Sequence, residues 1–401
     1  YLRVREIGDF RNASINANRL RTESDDRIGI HNLDKFYRAA KKRFDDDSEF
    51  AKGSRRRVVD LQCGDEKTLR LWRLLVESSK QHFLPIYEVL GVRLSDGDFC
   101  GESFYNEKLP GIVAGLEKAG LLQESEGAQV IYPPGFKNKE GEPLAMIVRK
   151  SDGGFLYATT DLAAIRYRVE TLGADRVIYV TDARQAQHFA MVFTTARSAA
   201  WVNPEVDLEH VPFGTILGKD NKPFKTREGG VVRLADLLEE SQQQAGAIIA
   251  EKNLKLPDTE RHAIARAIGI GALKYADLSS DRIKDYVFDW ERMLAFDGNT
   301  APYLQNAYVR IQAIFRKAPD KGVNLDGLGS RAIHVCDPAE HQLALKLLGF
   351  PPIVLAVAES LEPHRLCTYL YDLASSFHQF YERCPVLRAE DAKRTSRLRL
   401  C

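Results

Sequence analysis

The middle of the chain alternates short apolar runs with amphipathic stretches, which is the pattern of strands joined by helices. The predicted strands are residues 145–148, 155–157, 177–180 and 210–217. The first two flank the turn-forming residues 150–154, so they predict a hairpin. The alternation with helices predicts a doubly wound, Rossmann-like parallel sheet of the α/β class.

Apolar residues at helical spacing predict helices through the rest of the chain. Leu162, Ile165 and Val169 share one face of a predicted helix at 161–172. Further helices are predicted at 109–122, 183–200, 234–250, 261–276, 300–317, 341–348, 353–361 and 365–381. We therefore predict a Rossmann-type domain at 1–258, with a helical insertion at about 31–127, and an all-α helical bundle at 259–401.

Three residues in the helical part have predicted local roles. Thr300 is a predicted N-cap, because its hydroxyl can accept a hydrogen bond from the first turn of the next helix. Gly269 and Gly271 lie inside a helical pattern, where glycine permits close backbone packing. We interpret this segment as mainly structural.

Composition limits the class of protein more than its function. The 401 residues carry a net charge of +1, so the whole molecule has no charge that would attract nucleic acid or an anionic membrane. The six scattered cysteines, without a CxxC pair, predict a reduced, cytoplasmic protein without structural zinc. No apolar run approaches the roughly 20 residues of a membrane span, so no membrane partner is expected. The arginines at 55–57 are interpreted as a solvated helix face rather than a nucleic-acid patch.

Polar side chains gather where two of the predicted strands end. Tyr157 and Asp161 are four residues apart at one strand-to-helix turn, and Gln185 follows the next strand. Ligands of open α/β sheets bind at the carboxyl ends of the strands, and a carboxylate beside a phenol can bind a guanidinium or ammonium group. The alternative for Asp161 is a helix N-cap. His188 is interpreted either as a packing histidine or as a ribose or phosphate contact.

A second candidate site is the glycine-bounded loop at 218–230, which directly follows a predicted strand. Lys222, Lys225 and Arg227 are its cations, and a mobile loop of this kind can close cationic side chains over a triphosphate. The alternative is a solvated basic turn. Neither a Walker sequence nor a GxGxxG fingerprint is present.

Taken in order, these segments resemble an arginyl-tRNA synthetase of the bacterial type, a class I aminoacyl-tRNA synthetase. The resemblance covers roughly residues 31 to 400. It is carried by segments that include FYRAAKKRFDDDSEFA, DGGFLYATTD, TLGADRVIYVTDARQAQH, LGKDNKPFKTREGG, GIGALKYADLSSDR and YLYDLASSFHQFYERCPVL. It implies that the Rossmann-like domain is catalytic and that the helical domain binds the anticodon.

The resemblance also implies roles for individual residues. Tyr157, Asp161 and Gln185 match the arginine pocket of the family. The nucleotide positions, at which ATP would bind, are His188, His210, Phe213 and Gly214. Lys222, Lys225 and Arg227 fall in the loop that corresponds to KMSKS, where they would act catalytically on the phosphates. Tyr308 and Arg310 fall in the family pattern YLQxAYxR and are the expected tRNA contacts.

The expected activity is therefore that of an arginine-tRNA ligase. Its partners would be L-arginine, ATP with Mg²⁺ as the substrate complex, and tRNA(Arg), and a monomer without a protein-bound structural metal is expected. The resemblance departs at the N-terminus, where residues 5–10 read REIGDF instead of the family's HIGH segment. The chain also starts without methionine in the predicted strand 2–7, so a fragment is expected. This departure favours one alternative, a catalytically inactive tRNA-binding protein derived from such an enzyme. A further alternative is a nucleotidyltransferase of the same superfamily, which would have the nucleotide loop but no need for Tyr157, Asp161 and Gln185.

Overall fold

A computed structural model describes residues 30–218, 220, 233–252 and 256–401, with side chains from Tyr37 onward. The predicted strand at 2–7 lies outside the described residues. So do Lys222, Lys225 and Arg227 of the predicted phosphate loop.

The chain divides into two compact units, Tyr1–Val211 and Pro212–Cys401. The predicted domain boundary at 258/259 lies inside the second unit and stays a prediction.

The described part of the first unit is a mixture of helices and short strands. Its helices are α1 (Ile30–Asp46), α2 (Ser48–Gln62), α3 (Glu66–Leu90), α4 (Leu109–Lys118), α5 (Tyr157–Arg166) and α6 (Ala186–Ser198). Its strands are β1 (Gln123–Ser125), β2 (Ala128–Ile131), β3 (Met146–Arg149), β4 (Arg176–Asp182) and β5 (Asp207–Phe213), and β5 ends two residues inside the second unit. Strands β1, β2 and β3 form an antiparallel meander, whereas β4 and β5 are hydrogen-bonded neighbours with α6 between them in sequence.

Helix α5 lies at the centre of the core of the first unit. Leu162 and Ile165 of α5 are completely buried, together with Leu116 of α4 and Val192 of α6. Burial of each such side chain contributes about 1.5–3 kcal/mol relative to leaving it exposed. The core therefore fixes α5 and α6 side by side. This packing also holds the backbone that carries the polar residues of the two helices.

The predicted strand at 155–157 is wrong beyond its first residue. Phe155 forms an isolated antiparallel bridge with Arg149, which confirms the hairpin, but Tyr157 is already the first residue of α5. The helix therefore begins four residues before the predicted position, and Asp161 lies inside it rather than at its N-cap. The physical reason is that Thr159 turns inward and donates a hydrogen bond from its hydroxyl to the carbonyl of Val148. An apolar run of three residues cannot distinguish a strand from a buried first turn of a helix.

The second unit is mostly helical. Its helices are α7 (Leu234–Lys252), α8 (Asp258–Ser279), α9 (Trp290–Met293), α10 (Ala301–Lys317), α11 (Pro338–Leu348), α12 (Phe350–Ser360), α13 (Pro363–Arg383) and α14 (Asp391–Leu400). Strands β6 (Ile216–Leu217) and β7 (Tyr286–Val287) form a short parallel pair. The predicted N-cap is confirmed, because the Thr300 hydroxyl accepts a hydrogen bond from the amide of Tyr303 at the start of α10.

Helices α7 and α8 pack at the close distance that the glycine pattern predicts. A Cβ atom at Gly269 of α8 would lie 2.5 Å from the carbonyl oxygen of Ser241 in α7. Because the obstacle is backbone, it cannot rotate away. At Gly271 the obstacle is instead the side chain of Gln305, which is flexible.

We expect Gly269→Ala to destabilise the second unit by about 1–3 kcal/mol through overpacking. Gly246→Ala is the matched control, since its Cβ would face the Ala265 side chain of the same helix pair at 3.6 Å, an ordinary contact. The control should be neutral or stabilising by up to about 1 kcal/mol through helix propensity. Urea denaturation of both variants measures the difference, and equal stability would contradict the close-packing assignment.

One apolar stretch is longer than the sequence analysis expected. Pro338–Ser360 is long and apolar enough to cross a membrane, and 18 consecutive residues within it have a mean hydropathy of 1.6, so the prediction that no run approaches that length is wrong. The indication rests on length and composition alone. The stretch is interrupted at Gly349, and Lys346 within it forms a partly exposed ion pair of 2.8 Å with Asp372 of α13.

Candidate active site

Asp161 and His188 form the polar centre of the candidate arginine site. The carboxylate lies on α5 and the imidazole one turn into α6, and Nε2 of His188 is 2.7 Å from Oδ2 of Asp161. With Asp161 ionised, Nε2 is the donor of this charge-assisted bond. Both side chains are largely buried, with 16% of His188 and 27% of Asp161 exposed. The bond fixes the carboxylate on a rigid pair of helices.

Tyr157 completes this group from the first turn of α5. Its ring contacts the His188 ring edge-on, with centroids 4.6 Å apart, and about half of its surface is exposed. Tyr157 and Asp161 lie on one face of α5 because they are four residues apart. The structure thus brings Tyr157, Asp161 and His188 together, and Oδ1 of Asp161 has no hydrogen bond to another described residue.

Gln185 lies at the entrance to α6. It ends the 3-10 turn Ala183–Gln185 after β4 and is the N-cap residue of α6, although its side chain makes no capping bond. The turn itself is held by Asp182, whose carboxylate accepts hydrogen bonds from the side chain and amide of Arg184. These bonds lower the pKa of Asp182 to about 2, so the carboxylate is ionised at neutral pH.

His210 lies on β5 and is linked to the same group through an aromatic side chain. Its Nε2 is 2.8 Å from the hydroxyl of Thr181 at the end of β4. The ring of Phe189, which is buried, stacks on His210 and contacts His188 edge-on, each at 5.1 Å between centroids. The Phe189 ring therefore lies in contact with both histidine rings.

The other two predicted nucleotide residues, Phe213 and Gly214, follow at the end of β5. Phe213 is exposed, and Gly214 lies against the turn before β7: a Cβ atom there would be 2.8 Å from the backbone of Lys284. The backbone just after them forms β6, and α7 follows the undescribed loop at 221–232. The flanks of the predicted phosphate loop are therefore held by β7 and by α8.

The predicted tRNA residues lie on α10 of the second unit. Tyr308 is exposed, whereas the guanidinium of Arg310 covers the ring of Tyr381 from α13 at 5.4 Å. An exposed tyrosine and an arginine over an aromatic ring each offer a face on which a nucleobase can stack.

Sequence reasoning missed two supporting residues. The side chain of Gln62 in α2 accepts a hydrogen bond from the amide of Phe155 and donates one to its carbonyl, which holds the segment that leads into α5. The prediction that Arg57 lies on a solvated face is wrong, because Arg57 is mostly buried and donates a hydrogen bond to the hydroxyl of Thr68 in α3. No local pattern marks either residue, because each bond joins different elements: Gln62 binds a segment 93 residues away, and Arg57 binds the next helix.

Within the part of the chain that the structure describes, no group of three or more His, Cys, Asp or Glu side chains is arranged to hold a metal ion.

Comparison with protein families gives two matches. Residues 2–290 match the family described as tRNA synthetases class I (R), catalytic domain, and residues 304–401 match the DALR anticodon binding domain. These matches confirm the predicted fold class, a Rossmann-like catalytic domain followed by a helical anticodon-binding domain.

Individual relatives carry the same description. The chain is 51% identical over 372 residues to an arginine–tRNA ligase of Alcanivorax borkumensis and 53% identical over 369 residues to one of Frankia casuarinae, in each case over 92% of this chain. It spans 63% and 62% of these relatives, which is less than two thirds of their length.

Solved structures agree with the sequence relatives. The arginyl-tRNA synthetase of Plasmodium falciparum superposes with a TM-score of 0.73 at 30% identity, over 88% of this chain and 59% of that one. That of Thermus thermophilus gives a TM-score of 0.65 at 25% identity, over 88% of this chain and 66% of that one.

Proposed function

The chain belongs to the class I arginyl-tRNA synthetase family, and on that premise we propose that the protein that carries it joins L-arginine to tRNA(Arg) in two steps that consume ATP. The single observation that supports this function best is the Asp161–His188 pair beside Tyr157. It presents a partly buried carboxylate that is held in place and whose Oδ1 makes no hydrogen bond to the described residues.

The guanidinium of arginine is the ligand that this arrangement favours. Asp161 would accept charge-assisted hydrogen bonds through Oδ1, and His188 would keep the carboxylate oriented while it does so. Tyr157 would contact the guanidinium with its phenol, and Gln185 would add a neutral acceptor. A guanidinium is planar and presents its donors in a fixed fork, so a rigid carboxylate selects it over a flexible ammonium.

ATP would bind along the end of β5. His210, fixed by Thr181 and Phe189, would lie beside the nucleotide, Phe213 would give it an apolar face, and the backbone of Gly214 would contact it. Lys222, Lys225 and Arg227 would neutralise the phosphates. Magnesium would accompany ATP, bound mainly by phosphate oxygens and water as is usual for this ion.

The reaction itself needs positioning and charge stabilisation rather than a protein nucleophile. A carboxylate oxygen of arginine forms a bond to the α-phosphorus of ATP while the bond from that phosphorus to the bridging oxygen breaks and pyrophosphate leaves. The terminal ribose hydroxyl of tRNA then attacks the carbonyl carbon of arginyl-adenylate, and AMP leaves. The exposed Tyr308 and the Arg310–Tyr381 pair on the helical domain would contact the tRNA.

Arginine-dependent exchange of radioactive pyrophosphate into ATP, measured with and without tRNA(Arg), tests this function. We expect exchange with arginine and none with lysine or citrulline. A protein that binds tRNA(Arg) tightly but catalyses no exchange would instead be the non-catalytic tRNA-binding protein, and exchange with a substrate other than arginine would favour the nucleotidyltransferase.

We expect Lys225→Ala and Arg227→Ala to lower the turnover number of the exchange by about 10- to 100-fold, because cations on a phosphate loop act mainly in the transition state. The KM for ATP should change much less. Steady-state kinetics separate the two parameters, and a loss confined to KM would mean that both are ordinary ground-state binding residues.

A further inference from the structure

Arg282 lies in the turn between α8 and β7, where its guanidinium joins two segments that are far apart in sequence. Nη1 donates a hydrogen bond to the carbonyl of Pro212 at 3.1 Å. Nε donates to the carbonyl of Leu361 at 2.9 Å, and Nη2 to that of Ser360 at 3.4 Å. One side chain therefore binds both the end of β5 and the corner between α12 and α13.

The corner provides a good site for a cation. Ser360 ends α12, and Leu361 follows it with a φ of 53°, in the left-handed conformation that ends many helices. The last carbonyls of a helix carry partial negative charge and lack partners within the helix. The planar fork of an arginine can serve several of them at once, whereas a lysine ammonium acts as a single point.

The backbone after Pro212 is fixed to the same turn by hydrogen bonds from its amides. Gly214 donates its amide hydrogen to the carbonyl of Arg282 at 2.7 Å, and the Thr215 amide donates to the Asp285 carboxylate at 2.6 Å. Strand β6 then pairs with β7, and the amide of Phe288 donates to the carbonyl of Leu217 at 2.9 Å.

Residues 212–217 are thus fixed at both ends. Arg282 binds the first residue of the segment, and β7 binds the last. The close approach of Gly214 to Lys284 leaves no space for this backbone to shift toward the turn. The predicted phosphate loop begins immediately after the segment, so the position of 212–217 sets the base of that loop.

We propose that Arg282 is a positioning residue for adenylate formation: by binding Pro212, Ser360 and Leu361 together it sets the place of Phe213 and Gly214 and the base of the phosphate loop. The inference rests on the proposed nucleotide role of that strand end. Arg282 should therefore affect kcat/KM for ATP but not the recognition of arginine, because the residues predicted to bind arginine lie in the other unit.

The test compares Arg282→Ala, Arg282→Lys and the control Arg292→Ala, an exposed arginine of the same unit. In the exchange assay we expect kcat/KM for ATP to fall by about 30- to 100-fold in Arg282→Ala, since a displacement of about 1 Å can cost that much. In Arg282→Lys, which keeps one donor centre, kcat/KM for ATP should fall by about 3- to 10-fold. The KM for arginine should change less than about twofold in all three, and the control should match the parent protein.

A second measurement is independent of activity. Hydrogen–deuterium exchange should become faster in Arg282→Ala for the amides of residues 213–217, while those of α10 keep their protection. Faster exchange throughout the unit, or unchanged exchange at 213–217, would overturn the proposal. If the parent protein itself catalyses no exchange of pyrophosphate, the proposed function fails, and the amide measurement still decides whether Arg282 holds this segment.

Discussion

Asp161→Asn should raise the KM for arginine by about 100- to 1000-fold. This is the effect of about 3–4 kcal/mol that follows when one partner of a largely buried, hydrogen-bonded charge pair is neutralised. Asparagine keeps the size of the side chain and an oxygen that can accept the bond from Nε2 of His188, so the packing of α5 against α6 should persist. The change therefore removes the charge and little else.

Citrulline makes the test specific for charge recognition. It has the shape of arginine without the positive charge, so the parent protein should reject it and Asp161→Asn should discriminate much less between the two. The matched control is Glu170→Ala, which removes an exposed acid paired with Arg166 just beyond α5 and should leave the KM for arginine within about twofold. Unchanged arginine kinetics in Asp161→Asn would contradict the pocket assignment.

Glu340→Ala should destabilise the helical bundle by about 3–5 kcal/mol, because it leaves Arg397 as an uncompensated, mostly buried charge. Glu340 lies in the first turn of α11 and is almost completely buried, and its Oε1 is 2.6 Å from Nε of Arg397 in α14. Its other oxygen accepts hydrogen bonds from the amides of Cys336 and Asp337. One carboxylate thus accepts hydrogen bonds both from the amides at the start of α11 and from the Arg397 side chain of α14.

Thermal and urea denaturation of a small set of variants measure this contribution. The double variant Glu340→Leu with Arg397→Leu should lose less stability than Glu340→Ala, since it leaves no charge buried without a partner. Glu49→Gln removes one partner of an exposed ion pair with Lys52 and should leave the melting temperature unchanged within error. If Glu340→Ala were as stable as the parent protein, the pair would not hold α11 to α14.

The same carboxylate predicts a dependence of stability on pH. Burial by itself raises the pKa of Glu340, but hydrogen bonds from the amides of Cys336 and Asp337 and from the Arg397 guanidinium outweigh it, so the net pKa lies below the ordinary value of 4.5. A depressed pKa in the folded state contributes stability that is present above 4.5 and is lost as the pH falls through the folded value. Melting temperatures of the parent protein should therefore drop below pH 4.5, and those of Glu340→Gln should drop less over that range.

Much of the secondary structure could be predicted from the sequence. The helical spacing of Leu162 and Ile165 predicts a buried face because the period of a helix is a local property, and Thr300 predicts an N-cap because its partner is three residues away. The same local reasoning fails at 155–157, where the run is too short to have a period and a bond from Thr159 to Val148 selects the helix. Local spacing also does not reveal the apolar stretch at Pro338–Ser360, because it predicts two separate short helices there.

The family, most helices and the residue types of the predicted arginine pocket follow from the sequence alone, since a motif records which side chains are present and in what order. Three contacts are visible only in the tertiary structure: the hydrogen bond between Asp161 and His188, that between Gln62 and Phe155, and the link that Arg282 makes between β5 and the corner after α12. These contacts connect residues from 27 to 93 positions apart in sequence. Their geometry depends on how the core packs the helices against each other, and no local periodicity contains that information.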